Sequence, residues 1–127
     1  MQRVPTLTGV EGHFKGESFR LEYGKTITVG RSRKSDFCLR RTEAYRAMTL
    51  AEQEADEDAR TVSAQHFQIT MYNLNSLEIK NLSDNGTKVD GSRIDVVIID
   101  DISNNAHEIR FGKKEVMRLD MQMHEDA

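Results

Sequence analysis

The sequence predicts an all-β domain, a sandwich or a barrel. Short stretches in which polar and apolar residues alternate run along most of the chain, the mark of half-buried strands. Between them stand turn residues: Glu11-Gly12, Lys15-Gly16, Tyr23-Gly24, Asn85-Gly86, Asp90-Gly91 and Phe111-Gly112. Glycine takes positive φ without steric cost, and Asn or Asp tolerates it better than most residues. Many short strands at this spacing give two layers of sheet or one closed sheet.

The strands follow in order. Ser18 to Leu21 places Phe19 and Leu21 on one face, and Thr26 to Val29 does the same with Ile27 and Val29. Asp36 to Leu39 is a short strand. His66 to Tyr72 turns Phe67, Ile69 and Met71 inward, and Leu77 and Ile79 repeat the pattern. Val89, then Ile94 to Ile99, His107 to Phe111 and Glu115 to Met121 close the set.

Glu43 to Arg60 is the exception. It lacks alternation and is rich in Ala and Glu, good helix formers. Thr49 followed by Glu52 fits a capping box, so a helix is expected to begin at Thr49, with Tyr45, Met48 and Ala51 as its apolar edge. Glu52, Glu54, Asp56, Glu57 and Asp58 form an acidic cluster. The stretch reads as a loop insertion, part helical, part mobile, a solvated spacer.

Composition narrows the function. The 127 residues suit one domain. A net charge of −3 argues against general nucleic-acid binding, which needs a basic face. The single cysteine, Cys38, allows no internal disulfide; it lies in an apolar triplet and reads as a buried core thiol in a reducing compartment. No targeting segment precedes the first strands, and the longest aliphatic run, Val96 to Ile99, is too short to span a bilayer. The expectation is a soluble, cytoplasmic chain.

Motifs for catalysis are missing. His13, His66, His107 and His124 have no metal-ligand spacing. There is no Gly-x-Ser-x-Gly elbow, P-loop or dinucleotide fingerprint. Asp100-Asp101 reads as a polar turn. The chain is therefore expected to be no enzyme and to carry no metal or cofactor.

Three motifs stand at strand boundaries: Gly30-Arg31-Ser32, Ser63-Ala64-Gln65-His66, and Asn81-Leu82-Ser83-Asp84-Asn85-Gly86-Thr87. In this order they resemble the pattern of the forkhead-associated (FHA) family. Gly12 to Leu21 looks like that family's first hairpin, and Lys34-Ser35-Asp36-Phe37-Cys38-Leu39 like the segment after its Gly-Arg. Thr87-Lys88-Val89-Asp90-Gly91 resembles its Gly-Thr-x-Val-Asn-Gly hairpin, with Asp90 for Asn, and Ile109-Arg110-Phe111-Gly112 its near-final strand. The resemblance covers nearly the whole chain apart from residues 42–61.

It implies a two-sheet antiparallel β-sandwich over residues 1–123, interrupted at about 42–61 and followed by a frayed tail, 124–127. It also implies a module that binds threonine-phosphorylated proteins through loops at one end, downstream of Ser/Thr kinases. In the family, the residues matching Arg31 and Ser63 hold the phosphate, and that matching Asn85 clamps the peptide backbone. The chemistry suits these tasks. Phosphothreonine brings roughly −1.5 to −2 charges and three acceptor oxygens, the Arg fork matches phosphate, and an amide donates and accepts at once. The residue matching His66 buttresses the loops. Gly30, Ser32, Asn81, Asp84, Gly86 and Thr87 take supporting places. Arg33, Lys34, Arg40 and Arg41 are candidates for steering an anion toward the loops.

The sequence departs from the family in three places. Asp84 stands where Ser or Thr is usual; at 4–6 Å and an effective dielectric of ~20 it would cost a bound unit charge roughly 3–4 kcal/mol unless it turns away or pairs with Arg33 or Lys34. Ala64 replaces a polar residue that reaches the phosphate in many relatives. The insertion enters the loop that leads to Ser63, and Thr42, Thr49 and Thr61, in or beside it, are candidate phosphorylation sites for binding by another copy or by the same chain. Asp84 and Ala64 leave a second reading, a phosphate-independent scaffold or oligomerisation subunit on the same fold.

Overall fold

The computed structural model describes residues 2–73 and 75–124. Among these, β1 (Gln2–Glu11), β2 (Ser18–Arg20), β3 (Thr26–Gly30) and β4 (Phe37–Cys38) come first. A 3-10 turn (Leu39–Arg41) and three short helices follow, α1 (Glu43–Arg46), α2 (Leu50–Ala55) and α3 (Glu57–Arg60). Then come β5 (Phe67–Met71), β6 (Leu77–Asn81), β7 (Thr87–Val89), β8 (Ser92–Ile94), β9 (Val96–Ile99), β10 (His107–Phe111) and β11 (Glu115–His124).

The strands form two sheets, ordered β2-β1-β11-β10-β7-β8 and β4-β3-β5-β6-β9. This is the expected sandwich. Pairing is antiparallel except for the two-residue contact of β3 with β4, which is parallel. Alternation does what it predicted: Phe67, Ile69 and Met71 of β5, with Leu77 and Ile79 of β6, meet Leu7, Ile109, Phe111, Met117 and Leu119 of the other sheet. Phe111 packs edge-on against Phe67, with ring centroids 5.0 Å apart. No helix among the described residues is long and apolar enough to cross a membrane.

Four expectations needed correction. The ten-residue β1 shows no strand alternation in the sequence, yet the first hairpin starts earlier than Gly12 and pairs β1 with β2. Pro5 hides it, yet lies beyond the end of β2. The nitrogen of Leu21 donates to the Pro5 carbonyl at 2.9 Å. Proline has no N–H to return, so the ladder stops at Arg20. Ile94 to Ile99 is two strands, not one. The chain changes sheets at Asp95, whose carbonyl accepts from the Asn81 nitrogen at 2.8 Å. Asp36 to Leu39 keeps only two strand residues before turning. At the other end, β11 runs through His124, whose Nε2 lies 3.2 Å from the Thr6 hydroxyl, so His124 is paired and not frayed. Residues 125–127 lie outside the described part.

The insertion is helical where its capping box predicted. Glu52 N donates to Thr49 Oγ1 at 3.1 Å and Thr49 N to Glu52 Oε1 at 2.8 Å. It is not a solvated spacer. Ala59 and Val62 are in the core, and Tyr45 packs against it, whereas Ala51 is exposed.

Candidate functional site

Gly30 ends β3 against the loop that precedes β5. A Cβ there would sit 2.2 Å from the carbonyl oxygen of Ala64, so only glycine lets the two backbones approach. Beyond it, Arg31 N donates to Ser63 O at 2.9 Å and Ser32 N to Ala64 O at 3.1 Å. Two loops thus form one lip. Ser32, Lys34, Ser63, Ala64 and Gln65 line an open hollow of about 540 Å3 on it.

The third loop joins through His66. Ser63 N donates to His66 Nδ1 at 3.0 Å, and the ring's Nε2–H donates to Gly86 O at 2.8 Å. This fixes the tautomer, and burial holds the imidazole below its ordinary pKa, hence neutral. Asn81 organises the same loop. Its Oδ1 accepts from Ser83 N at 3.2 Å and Thr87 Oγ1 at 2.9 Å, while Nδ2 donates to Ser83 O at 2.8 Å.

Ser83 of the third motif, to which the family resemblance assigns no role, is the hub. Its buried hydroxyl accepts from Asn85 N at 3.1 Å and lies 2.5 Å from Ser63 Oγ. With Ser83 donating to Ser63, the Ser63 hydrogen is free for an incoming oxygen. Its signal was the Asn-x-Ser spacing, which closes a side-chain turn.

Arg31, Ser63 and Asn85 therefore come to one end of the sandwich, but they face different hollows. Arg31 is half-buried, and its guanidinium lines a groove beside the insertion together with Arg33 and Arg40. Asn85 lines a groove of about 400 Å3 on the other side, with Lys88, Arg93 and Arg110. The insertion's last residues touch both recognition side chains: Arg31 Nη1 donates to Arg60 O at 3.3 Å and Asn85 Nδ2 to Thr61 O at 2.9 Å. Arg41 turns back to the carbonyls of Ser35 and Arg33, so it braces the loop. Asp84 is exposed and, among the described residues, pairs with neither Arg33 nor Lys34; only its carbonyl is held, by Arg93 at 3.3 Å. Gly86 has φ 87° and leaves room for that arginine.

Of the three candidate threonines, Thr42 is buried and donates to Leu39 O, and the Thr61 hydroxyl donates to Asp58 O and accepts from Lys113 N. Thr49 alone is exposed.

What docks the insertion is carried by no local sequence pattern. His13 is buried, with Nδ1 2.7 Å from Glu115 Oε2 and Nε2 2.6 Å from Asp56 Oδ2. The hydrogen bond with Glu115 raises its pKa against the opposing effect of burial, and Asp56 adds to the rise. The imidazolium thus ties the insertion to the first hairpin and to β11. Its partners lie 43 and 102 residues away, beyond any local pattern. Among the described residues, no group of His, Cys, Asp and Glu side chains is placed to hold a metal ion.

Comparison with known proteins adds an independent view. A family model described as FHA domain matches residues 27–112, more than half of the chain. The FHA domain of the CT664 protein from Chlamydia trachomatis superposes with a TM-score of 0.65 at 26% identity, covering 94% of this chain and 98% of that one. A structure described under phosphothreonine-dependent FHA domain interactions gives 0.61 at 22% identity, over 95% of this chain and 97% of its own. Mycobacterium tuberculosis EmbR in complex with a low-affinity phosphopeptide gives 0.64 at 22% identity, over 98% of this chain and 26% of EmbR. No curated protein sequence matches the chain.

Proposed function

Since the chain belongs to the FHA family, we propose that it is a phosphothreonine-dependent interaction module that binds threonine-phosphorylated partner proteins and catalyses nothing. The EmbR structure with its phosphopeptide, and the structure described under phosphothreonine-dependent FHA domain interactions, support a phosphopeptide-binding role. The preference for phosphothreonine is carried over from the family resemblance of Arg31, Ser63 and Asn85.

One observation carries the reading: the lip formed by Arg31–Ser63 and Ser32–Ala64 pairing, tied through His66 and Ser83 to the loop of Asn85. A phosphate at the hollow meets the Ser63 hydroxyl, and Ser32 and Lys34 line the same space. The Arg31 guanidinium is freed for the phosphate by releasing one hydrogen bond, that to Arg60 O, and Asn85 is freed for the peptide backbone by releasing Thr61 O. Each gives up a neutral acceptor, and Arg31 gains a charged one, which is the stronger bond. The threonine methyl adds only about 0.8 kcal/mol if buried, roughly fourfold. Such a module works where Ser/Thr kinases mark its partners, in the cytoplasm.

A degenerate phosphothreonine peptide library tests this, run beside phosphoserine and unphosphorylated versions. Saturable, phosphothreonine-selective binding is expected, weakened more than about tenfold in Arg31→Ala. Wild-type protein that binds no phosphopeptide would favour a phosphate-independent scaffold. The engaged donors of Arg31 and Asn85, and the unpaired carboxylate of Asp84, are the observations on that side.

A further inference from the structure

The groove beside Arg31 measures about 580 Å3 and lies between the end of β3 and the docked insertion. Arg31, Arg33 and Arg40 form one bank, and Arg60 stands across on α3. Among the described residues none of these four guanidiniums meets a carboxylate. Arg31 donates to Arg60 O, Arg60 donates to Glu54 O at 2.5 Å, and the side chains of Arg33 and Arg40 have no partner among the described residues.

Two carboxylates border the groove, Glu54 and Asp56. Asp56 is fully committed: Oδ2 meets His13 at 2.6 Å and Oδ1 accepts from Ala59 N at 3.1 Å. Burial works against its ionisation, yet the His13 and Ala59 hydrogen bonds hold its pKa below the ordinary value. The protonated His13 balances its charge, leaving Glu54 alone against four arginines. The insertion's far bank is fixed, because Ala59 and Val62 are in the core and His13 clamps Asp56. Four like charges around a rigid groove repel one another, and an oxyanion relieves that repulsion. Guanidinium forks match carboxylate and phosphate oxygens in geometry as well as charge.

We propose that this groove is a second anion site, built by the insertion, that takes an oxyanionic side chain of the same bound phosphopeptide. The side chain is a carboxylate or a second phosphate flanking the phosphothreonine. The proposal rests on the phosphothreonine reading, since Arg31 belongs to both sites. The groove's partly apolar wall, with Tyr45 and the exposed Leu50, gives the peptide stem a surface to lie on.

The experiment compares three peptides that share one phosphothreonine and differ in their flanks: neutral, glutamate-rich, or bearing a second phosphothreonine. Affinities are measured by calorimetry for the wild-type chain and for Arg33→Gln/Arg40→Gln. Anionic flanks are expected to tighten wild-type binding about five- to tenfold over the neutral flank, the range of a partly exposed charge pair. That ratio falls toward one in the double variant, even if lost steering weakens all three peptides together. Gain from glutamate identifies a general carboxylate-accepting site; gain from the second phosphate alone identifies a phosphate site. A ratio near one in the wild type, or one the variant leaves unchanged, overturns the proposal while the neutral-flank peptide keeps the phosphothreonine reading intact. If that peptide fails to bind, the earlier reading falls, and the groove is tested directly with inorganic pyrophosphate by NMR. Saturable shifts of the Arg33, Arg40 and Arg60 Nε–Hε signals support the groove; unmoved signals overturn it.

Discussion

His66 gives its Nε2–H to the main-chain carbonyl of Gly86 at 2.8 Å, joining the loop before β5 to the loop before β7 through one buried ring. Its other nitrogen accepts from Ser63 N at 3.0 Å. The ring also packs on Phe111, with centroids 5.3 Å apart. Replacing His66 with Ala leaves the Gly86 carbonyl and the Ser63 N–H without partners and opens a hole in the core. A loss of about 2–4 kcal/mol follows, together with weaker phosphopeptide binding. Arg31→Ala, half-exposed, should stay within about 0.5 kcal/mol of the wild type while losing the peptide. Urea denaturation beside calorimetry separates the two roles. A His66→Ala protein as stable as the wild type would show that the ring is no buttress.

Gly30 shows the same lip from the backbone side. An added Cβ meets Ala64 O at 2.2 Å and the Ser35 hydroxyl, itself bonded to Ala64 O, at 2.8 Å. Gly30→Ala must therefore push the two loops apart, breaking the Ser32–Ala64 bond first. The expected cost is more than about 2 kcal/mol, with amide exchange at Ser32 accelerated. Unchanged exchange there would mean that the approach of the backbones relaxes elsewhere.

Much of this end was legible because its signals are local. Gly30-Arg31-Ser32 and Asn85-Gly86 sit where strand alternation stops, and alternation alone placed Phe67, Ile69, Leu77 and Ile79 in the core. The capping box at Thr49 was legible for the same reason, since it joins residues three apart. Three things were not. β1 hides because Pro5 and the buried Thr6 break its pattern, and its partner β11 lies more than a hundred residues on. The split of Ile94 to Ile99 depends on Asp95 bonding to Asn81, which starts the pairing of β9 with β6 in the sheet that β8 does not belong to. The docking of the insertion rests on His13, Asp56 and Glu115, three residues from distant turns and strands that read separately as surface polar groups.

Asp84 gives a prediction of opposite sign to the losses above. Its carboxylate is exposed and, among the described residues, has no ion pair, while it adjoins Asn85 in the loop that the phosphate is expected to approach. Exposed, it is screened by solvent, so the unscreened repulsion estimated from sequence shrinks to a fraction of itself. Asp84→Ser should tighten phosphothreonine peptide binding by about two- to fivefold at low salt, with the gain shrinking as salt rises. The Arg93 bond to the Asp84 carbonyl is main-chain and survives the change. Titrations at two salt concentrations check both points, and a gain independent of salt would place the effect in loop conformation instead of charge.

His13 makes the docking of the insertion depend on pH. Its pKa is raised in the fold by the Glu115 hydrogen bond, against burial, with Asp56 adding to it. A raised folded value means that the imidazolium's contribution is complete below the ordinary 6.5 and is lost as pH climbs through the folded value. His107 acts in the same sense: burial lowers its pKa, but bonds to Asp90 and Asp101 outweigh it. Asp56, lowered, contributes above its ordinary 3.8 and loses that contribution as pH falls through its folded value. Thermal stability should therefore decline as pH rises above the ordinary 6.5 and through the raised folded values, and hydrogen exchange at Ala59 and Val62 should rise over the same range. His13→Gln keeps a donor for one carboxylate but no charge, leaving the other buried without a counter-ion, at a cost of about 3–5 kcal/mol near pH 6. In that variant the pH slope flattens to the share of His107, and the exchange at Ala59 is fast at every pH. Protection at Ala59 that stays high in His13→Gln would mean that Ala59 and Val62 hold the insertion down by packing alone.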